Sequence, residues 1–290
     1  MKPATILAIF AHPDDEVFSC GGSFALLSRQ GAQIALACAT RGEAGEIASP
    51  ELATPETLGQ VREAELREAA KHMGIQVLHF LGYRNSGMDG APENDHPKAF
   101  MNAPADKVVR QLVGLIRHYQ PEIVITFEPG GGYGHPDHLA IHHHTVAAVS
   151  AAAFATYRPE LGASWRVPRL LYTALARRVL VNIRDALAAQ GEVPPILENI
   201  DNRPHWSDPA RSILMNVSDA SDAKLMAFRA HRTQFGANSF LSAMPPELLR
   251  EAASLEEFML APTYENPDRP LTHLLDGLDA AQARNGSNEH

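Results

Sequence analysis

Cysteine is scarce in this chain: Cys20 and Cys38 are the only two in 290 residues, and they form no C-x-x-C pair. That excludes a disulfide-stapled scaffold or a thiolate zinc ribbon and fits a reducing compartment. Long apolar runs are missing too; none approaches the roughly 18 residues that span a bilayer. The first apolar run, Ile6 to Phe10, is too short for a secretory core and is soon followed by His12, Asp14 and Asp15, so a cytoplasmic protein is expected. Positive charge is in deficit: 25 Lys and Arg against 34 Asp and Glu leave a formal charge of −9 with His neutral. Such a balance disfavours nucleic acid or an anionic membrane as the main partner. Three catalytic signatures are also absent. There is no G-x-S-x-G elbow, no G-x-G-x-x-G after the first strand, and no Lys-Ser/Thr after the glycines at 130–134. Apolar content of 45% with 20% charged residues is ordinary for a globular chain, and the length allows one large α/β domain or two small ones.

What is present is a rhythm of strands and helices. Thr5–Phe10, Ile34–Ala39, Gln76–Leu81 and Ile123–Phe127 are short apolar runs, as in strands buried on both faces of a parallel sheet. Helical spacing separates them: one helix from near Gly21 to Gly31, one from Leu58 to Gly74, one over Asp106–Tyr119 stopped by Pro121, and an Ala-rich one from Leu139 to about Tyr157. This alternation predicts right-handed βαβ units. The fold class is therefore α/β, Rossmann-like, a mostly parallel sheet flanked by helices, with a less regular C-terminal half. Residues 1–160 are expected to form the core, 161–284 to complete the same domain, and 285–290 to fray. In the second half, strands are expected near 170–176 and 213–217. A helix capped by Ser218 or Ser221 and a late amphipathic helix through Leu271, Leu274, Leu275 and Leu278 are also expected. Residues 190–209 are Pro-rich and irregular, and 89–104, with three prolines, reads as a long functional loop.

Polar loops follow each of the first four strands: Ala11-His12-Pro13-Asp14-Asp15-Glu16, Thr40–Glu46, Tyr83–Met88 and Glu128–His138. Ligands of open α/β sheets bind beyond the carboxyl ends of strands, so these loops should gather at one edge. Imidazole and carboxylate together suit zinc or a similar dication. The first and fourth loops are expected to meet and share one metal. From the residues alone, several alternatives stay open. His142 stands four residues from His138, a metal-pair spacing on a helix. Tyr133 reads equally as a plain loop aromatic, Arg84 can be a surface ion-pair partner though substrate contact ranks above it, and His231 is open between a core histidine and a distant site residue.

Ala11–Glu16 together with His135-Pro136-Asp137-His138 resembles the PIG-L/LmbE-like zinc deacetylases, which remove acetyl from N-acetylglucosamine conjugates. The likeness runs from about Ile6 to about His144, and more weakly from Asp222 to Gln234 through Ala230-His231-Arg232-Thr233-Gln234. It implies one Zn2+ per chain, or another dication such as Fe2+, held by His12, Asp15 and His138 with one position open for water. It implies Asp14 as general base, and His135 as oxyanion partner with Asp137 holding that imidazole charged and oriented. Tyr133 would donate to the same oxyanion. Arg84, Asn85 and Ser86 match the sugar-binding loop, with Asn85 standing where many relatives carry Asp; Glu46 and Glu43 are further candidate contacts. The implied substrate is a small-molecule N-acetylaminosugar conjugate, and relatives of this kind are often homo-oligomers. Two other readings stand beside it: a metal-dependent phosphoesterase, which needs a second metal, and a non-catalytic glycan-binding protein with a structural zinc.

Overall fold

The apolar runs become the middle of one sheet. β1 (Thr5–Phe10), β2 (Gln33–Cys38), β3 (Val77–Phe80), β4 (Ile123–Phe127) and β5 (Arg169–Ala174) pair in parallel in the order β3-β2-β1-β4-β5. β6 (Ser212–Asn216) and β7 (Leu255–Leu260) extend it beyond β5, with β7 antiparallel to both neighbours. The computed structural model describes residues 3–174, 177–189, 191, 193, 210–236, 244–264 and 270–278. β1 and β4 are buried along their whole length, which is why their sequences show no polar alternation. Ile6 sits in register with Ile34 on one side and Ile123 on the other. The chain leaves β1 toward β2 and later returns on β1's other flank as β4. That reversal opens a crevice at the carboxyl ends of β1 and β4.

The helices are α1 (Asp15–Arg29), α2 (Leu58–Met73), α3 (Ala105–Tyr119), the short turn α4 (Gly131–Gly134), α5 (Pro136–Ala152), α6 (Arg177–Ala188), α7 (Ser221–Ala230) and α8 (Pro246–Ser254). α3 buries Val108, Leu112, Val113 and Ile116 at the spacing the sequence shows. One core runs from Ile6 to Leu278 and takes in both halves of the chain. Cys20 in α1 and Cys38 at the end of β2 are buried in it as free thiols.

Several boundaries differ from expectation. α1 starts at Asp15 rather than near Gly21, so the acidic motif is itself the first turn of the helix. α5 starts at Pro136, a favoured first helical residue, and stops at Ala152 rather than near Tyr157. The buried Arg117 guanidinium holds the chain after this end: it donates to the carbonyls of Ala152, Phe154, Arg158 and Gly162, satisfying the helix-end carbonyl and three in the loop beyond. Residues 271–277 are not helical as expected; helix is reached only at residue 278, the last described residue of this stretch. Leu274 and Leu278 are buried as expected, but residues 274–277 turn, because the Asp276 carboxylate takes the N–H groups of Thr272 and His273. The loop at 89–104 is folded on itself. Asn94 Nδ2 donates to the Ser86 and Met88 carbonyls at 2.6 and 3.1 Å, while its Oδ1 accepts from Gly90. The expectations for 285–290, and for 190–209 apart from residues 191 and 193, lie outside the described residues.

α1 is pinned in its middle by a buried ion pair. Lys224 Nζ of α7 donates to Glu256 Oε1 of β7 and to the Phe18 carbonyl of α1. Glu256 in turn accepts the N–H groups of Gly22 and Ser23, both at 2.8 Å. Gly22 has no alternative here, since a Cβ would meet Val217 at 2.5 Å.

Candidate metal centre

The Asp15 carboxylate folds back over the β1–α1 turn. Its Oδ2 accepts from the N–H of Ala11 at 3.1 Å and of His12 at 2.7 Å, and its Oδ1 lies 3.2 Å from His138 Nε2. His12 Nε2 donates to Asp137 Oδ2 at 3.0 Å, which leaves the lone pair on Nδ1. His138 Nδ1 donates to the Gly131 carbonyl at 3.0 Å, which leaves its lone pair on Nε2. The His138 ring stacks on Phe127 with centroids 4.0 Å apart. Gly131 has φ 63°, and a Cβ there would come within 2.9 Å of His138 Cβ, so only glycine admits the imidazole.

Those two lone pairs face each other: His12 Nδ1 and His138 Nε2 are 3.3 Å apart, and Asp15 Oδ2 is 3.7 Å from His12 Nδ1. A tetrahedral ion with bonds of 2.0–2.1 Å has ligand–ligand edges of about 3.3 Å. Two unprotonated nitrogens and a carboxylate converging at that spacing fit a dication. His138 and His12 draw the Asp15 carboxyl below its ordinary range although burial acts the other way. A nitrogen of His135 also lies within 4.8 Å of the other two imidazoles. Its Nδ1, however, accepts the Asp137 N–H at 3.0 Å as the N-cap of α5, so its Nε2 carries the proton and is a donor. Burial, reinforced by His12 and His138, pushes His135 down to about 3 and keeps it neutral. Among the described residues no second cluster of His, Cys, Asp and Glu is spaced to hold a metal. His142 is not drawn in; it donates through Nδ1 to the Phe127 carbonyl at 2.7 Å.

Asp14 stands beside the cluster at φ 103°, in left-handed backbone that a side chain rarely adopts. Burial raises its carboxyl to about 6, against the pull of Arg62, whose Nη2 is 3.2 Å from Asp14 Oδ1. Tyr133 is partly exposed on the glycine-rich turn, with its ring edge-on to His138 at 4.9 Å and to His135 at 6.2 Å. Burial of the phenol raises its pKa and holds it protonated.

Some expected residues sit elsewhere. Asp137 does not hold the His135 ring with its carboxylate; that carboxylate binds His12, and only the Asp137 backbone meets His135. The N-cap geometry turns His135 Nδ1 back onto the first turn of its own helix. Ser86 is turned inward. It is fully buried, donates N–H and Oγ–H to Asp137, and accepts the Met101 N–H. Asn85 Oδ1 is taken by the Gly87 N–H in a local turn, and its own N–H donates to Glu43. Glu46 is exposed, with its carbonyl held by Gln234. The Arg84 guanidinium makes no hydrogen bond or ion pair among the described residues, and its Nε is buried without a partner.

Three residues that the sequence reading did not assign complete the surroundings. Arg62 reaches from α2 to Asp14 and to the Pro13 and Gly42 carbonyls. Glu16 accepts the Asp14 N–H at 2.9 Å. His231 Nε2 donates to Glu16 at 2.9 Å. A signal for Arg62 did exist: it falls on the buried stripe of α2 with Leu58, Leu66, Ala69 and Met73, where a charge is out of place.

The sequence pattern of the PIG-L family, described as GlcNAc-PI de-N-acetylase, matches residues 7–149. A 1D-myo-inositol 2-acetamido-2-deoxy-alpha-D-glucopyranoside deacetylase from Geodermatophilus obscurus is 38% identical over 268 residues, covering 88% of this chain and 91% of the relative. An N,N'-diacetylchitobiose deacetylase from Pyrococcus horikoshii has a similar fold, with TM-score 0.65 at 20% identity over 93% of this chain and 88% of that one. A 4-carboxy-2-hydroxymuconate hydratase from Pseudomonas putida shares it as well, at TM-score 0.59 and 20% identity over 93% of this chain and all of that one. The fold alone therefore does not fix the reaction. The sequence does place the chain, and the site it carries belongs with that placement: this protein is a member of the PIG-L family of de-N-acetylases.

Proposed function

We propose that the protein is a zinc-dependent N-deacetylase that hydrolyses the acetamide of a small N-acetylglucosamine conjugate, with His12, Asp15 and His138 as the metal ligands. The observation that carries this reading is the convergence of His12 Nδ1, His138 Nε2 and Asp15 with a carboxylate and a proton donor close by. When bound, a dication there acidifies a water and polarises the acetamide carbonyl. The protein supplies the rest. Asp14, with its carboxyl raised to about 6, accepts the proton of the attacking water and returns it to the departing amine. His135, protonated on Nε2, and the Tyr133 hydroxyl donate to the oxygen on which negative charge develops. Asp137 fixes the tautomer of His12, and Ser86 holds Asp137. The Arg84 guanidinium, which has no partner among the described residues, is available to substrate hydroxyls. Two buried thiols suit a cytoplasmic setting.

The test is a panel of N-acetylglucosaminyl conjugates, including the inositol glycoside named for the Geodermatophilus relative, scored for released primary amine. Zinc-loaded protein is expected to release amine from at least one, and a chelator to stop it. Metal-replete protein that frees no amine from any conjugate would overturn the reading.

A further inference from the structure

The segment Ala230-His231-Arg232-Thr233-Gln234 lies far outside the stretch matched by the family pattern, yet it is built into the turn that carries the proton-transfer carboxylate. His231 and Glu16 are both wholly buried, and His231 Nε2 donates to Glu16 Oε1 at 2.9 Å. Glu16 Oε2 accepts the backbone N–H of Asp14 at 2.9 Å. The preceding Pro13 carbonyl is taken by Arg62, and the Asp14 carbonyl by the Val17 N–H. The Pro13 carbonyl, the Asp14 N–H and the Asp14 carbonyl are thus all occupied while the φ of Asp14 is 103°. A non-glycine residue is strained there and stays only where its surroundings over-determine it. Relaxation of that φ would swing the Asp14 side chain away from the cluster.

His231 is itself fixed. It ends α7, and its N–H donates to the Phe228 carbonyl. Thr233 next to it donates N–H and Oγ–H to the buried Glu65 of α2, and its carbonyl accepts the Ala48 N–H. Gln234 ties to the Glu46 carbonyl. Among the described residues the other ring nitrogen of His231, Nδ1, has no partner, and the ring's one hydrogen bond there goes to Glu16.

We propose that His231 is a positioning residue for the reaction: through Glu16 it locks the backbone of Asp14 in its left-handed conformation and so aims the proton-transfer carboxylate. The inference rests on the reading of Asp14 as the base. His231 touches neither substrate nor metal in this scheme, so its removal acts through Asp14 alone.

The experiment is a double-mutant cycle in the zinc-loaded full-length protein with an N-acetylglucosaminyl substrate, joined to a crystal structure of the single variant. His231→Ala is expected to lower kcat by about 10- to 100-fold, the size of effect seen when a reacting group is misplaced by about an ångström. KM and metal stoichiometry should hold. In the Asp14→Ala background the same change should cost less than about threefold, because the group it positions is gone. In crystals of the single variant, Asp14 should leave the left-handed region. His231→Gln, which keeps an N–H donor for Glu16, should restore most of kcat and guards against an alanine variant that fails to fold. Equal losses in both backgrounds, or full kcat in His231→Ala, would overturn the proposal. The two failures are distinguishable: a wild-type protein inert on every conjugate removes the deacetylase reading, whereas an active wild type with a multiplicative cycle removes only the relay.

Discussion

Each imidazole nitrogen that faces the cluster from His12 or His138 has its lone pair fixed by a partner on the far side of the ring. Asp137 accepts from His12 Nε2–H, and the Gly131 carbonyl accepts from His138 Nδ1–H. Ser86 stands one step further back, giving Asp137 two hydrogen bonds. Ser86→Ala should therefore weaken zinc binding by about 10- to 100-fold, measured by chelator competition, with the fold intact. Asp14→Ala should keep its metal and lose about 10²- to 10⁴-fold in kcat, since it holds the proton rather than the ion. An Asp14→Ala protein with near-normal turnover would move the base elsewhere. Residue identities in the two motifs were legible in sequence, because His and Asp in turns after apolar strands have few structural uses. Side-chain directions were not. Nothing in the string of letters tells that Asp137 turns to His12 instead of His135, or that Ser86 faces inward, because a helix cap and a loop crossing decide both.

At the level of elements, legibility followed burial. Central parallel strands such as β1 and β4 read as unbroken apolar runs, and α3 shows its one-sided face plainly. β7 was missed for a physical reason: Leu255–Leu260 carries two glutamates, and Glu256 is there to hold α1 and Lys224 rather than to alternate outward. α6 and α8 were also not foreseen, α8 beginning directly at Pro245-Pro246. The Glu256–Lys224 pair joins three elements behind the first motif. Lys224→Met should destabilise the protein by about 3–5 kcal/mol, because it strands a buried carboxylate. Combining it with Glu256→Gln should recover part of that loss in a urea titration. An unchanged urea midpoint for the single variant would show that the pair is not needed to hold α1.

For the whole molecule, the reversal of strand order between β1 and β4 is what brings residues 12 and 15 against residue 138. A metal placed there cross-links the first and fourth loops across the sheet and binds only the folded chain. At a hundredfold excess over its dissociation constant it adds about 2.7 kcal/mol. For a chain of this size that is a rise of about 4 °C in Tm. Wild-type protein should show this shift on zinc addition, and Asp15→Ala should show little of it. A shift of equal size in both proteins would place the ion elsewhere.

Cys20 and Cys38, wrapped in the interior, carry thiols that burial first, and then the charge of Glu256 and Glu16 respectively, hold well above their ordinary acidity range. An alkylating reagent meets neither sulfur as a reactive thiolate until the chain opens. The pair thus forms a native clock. Iodoacetamide labelling should track excursions to the unfolded state, and saturating zinc should slow it in proportion to the added stability.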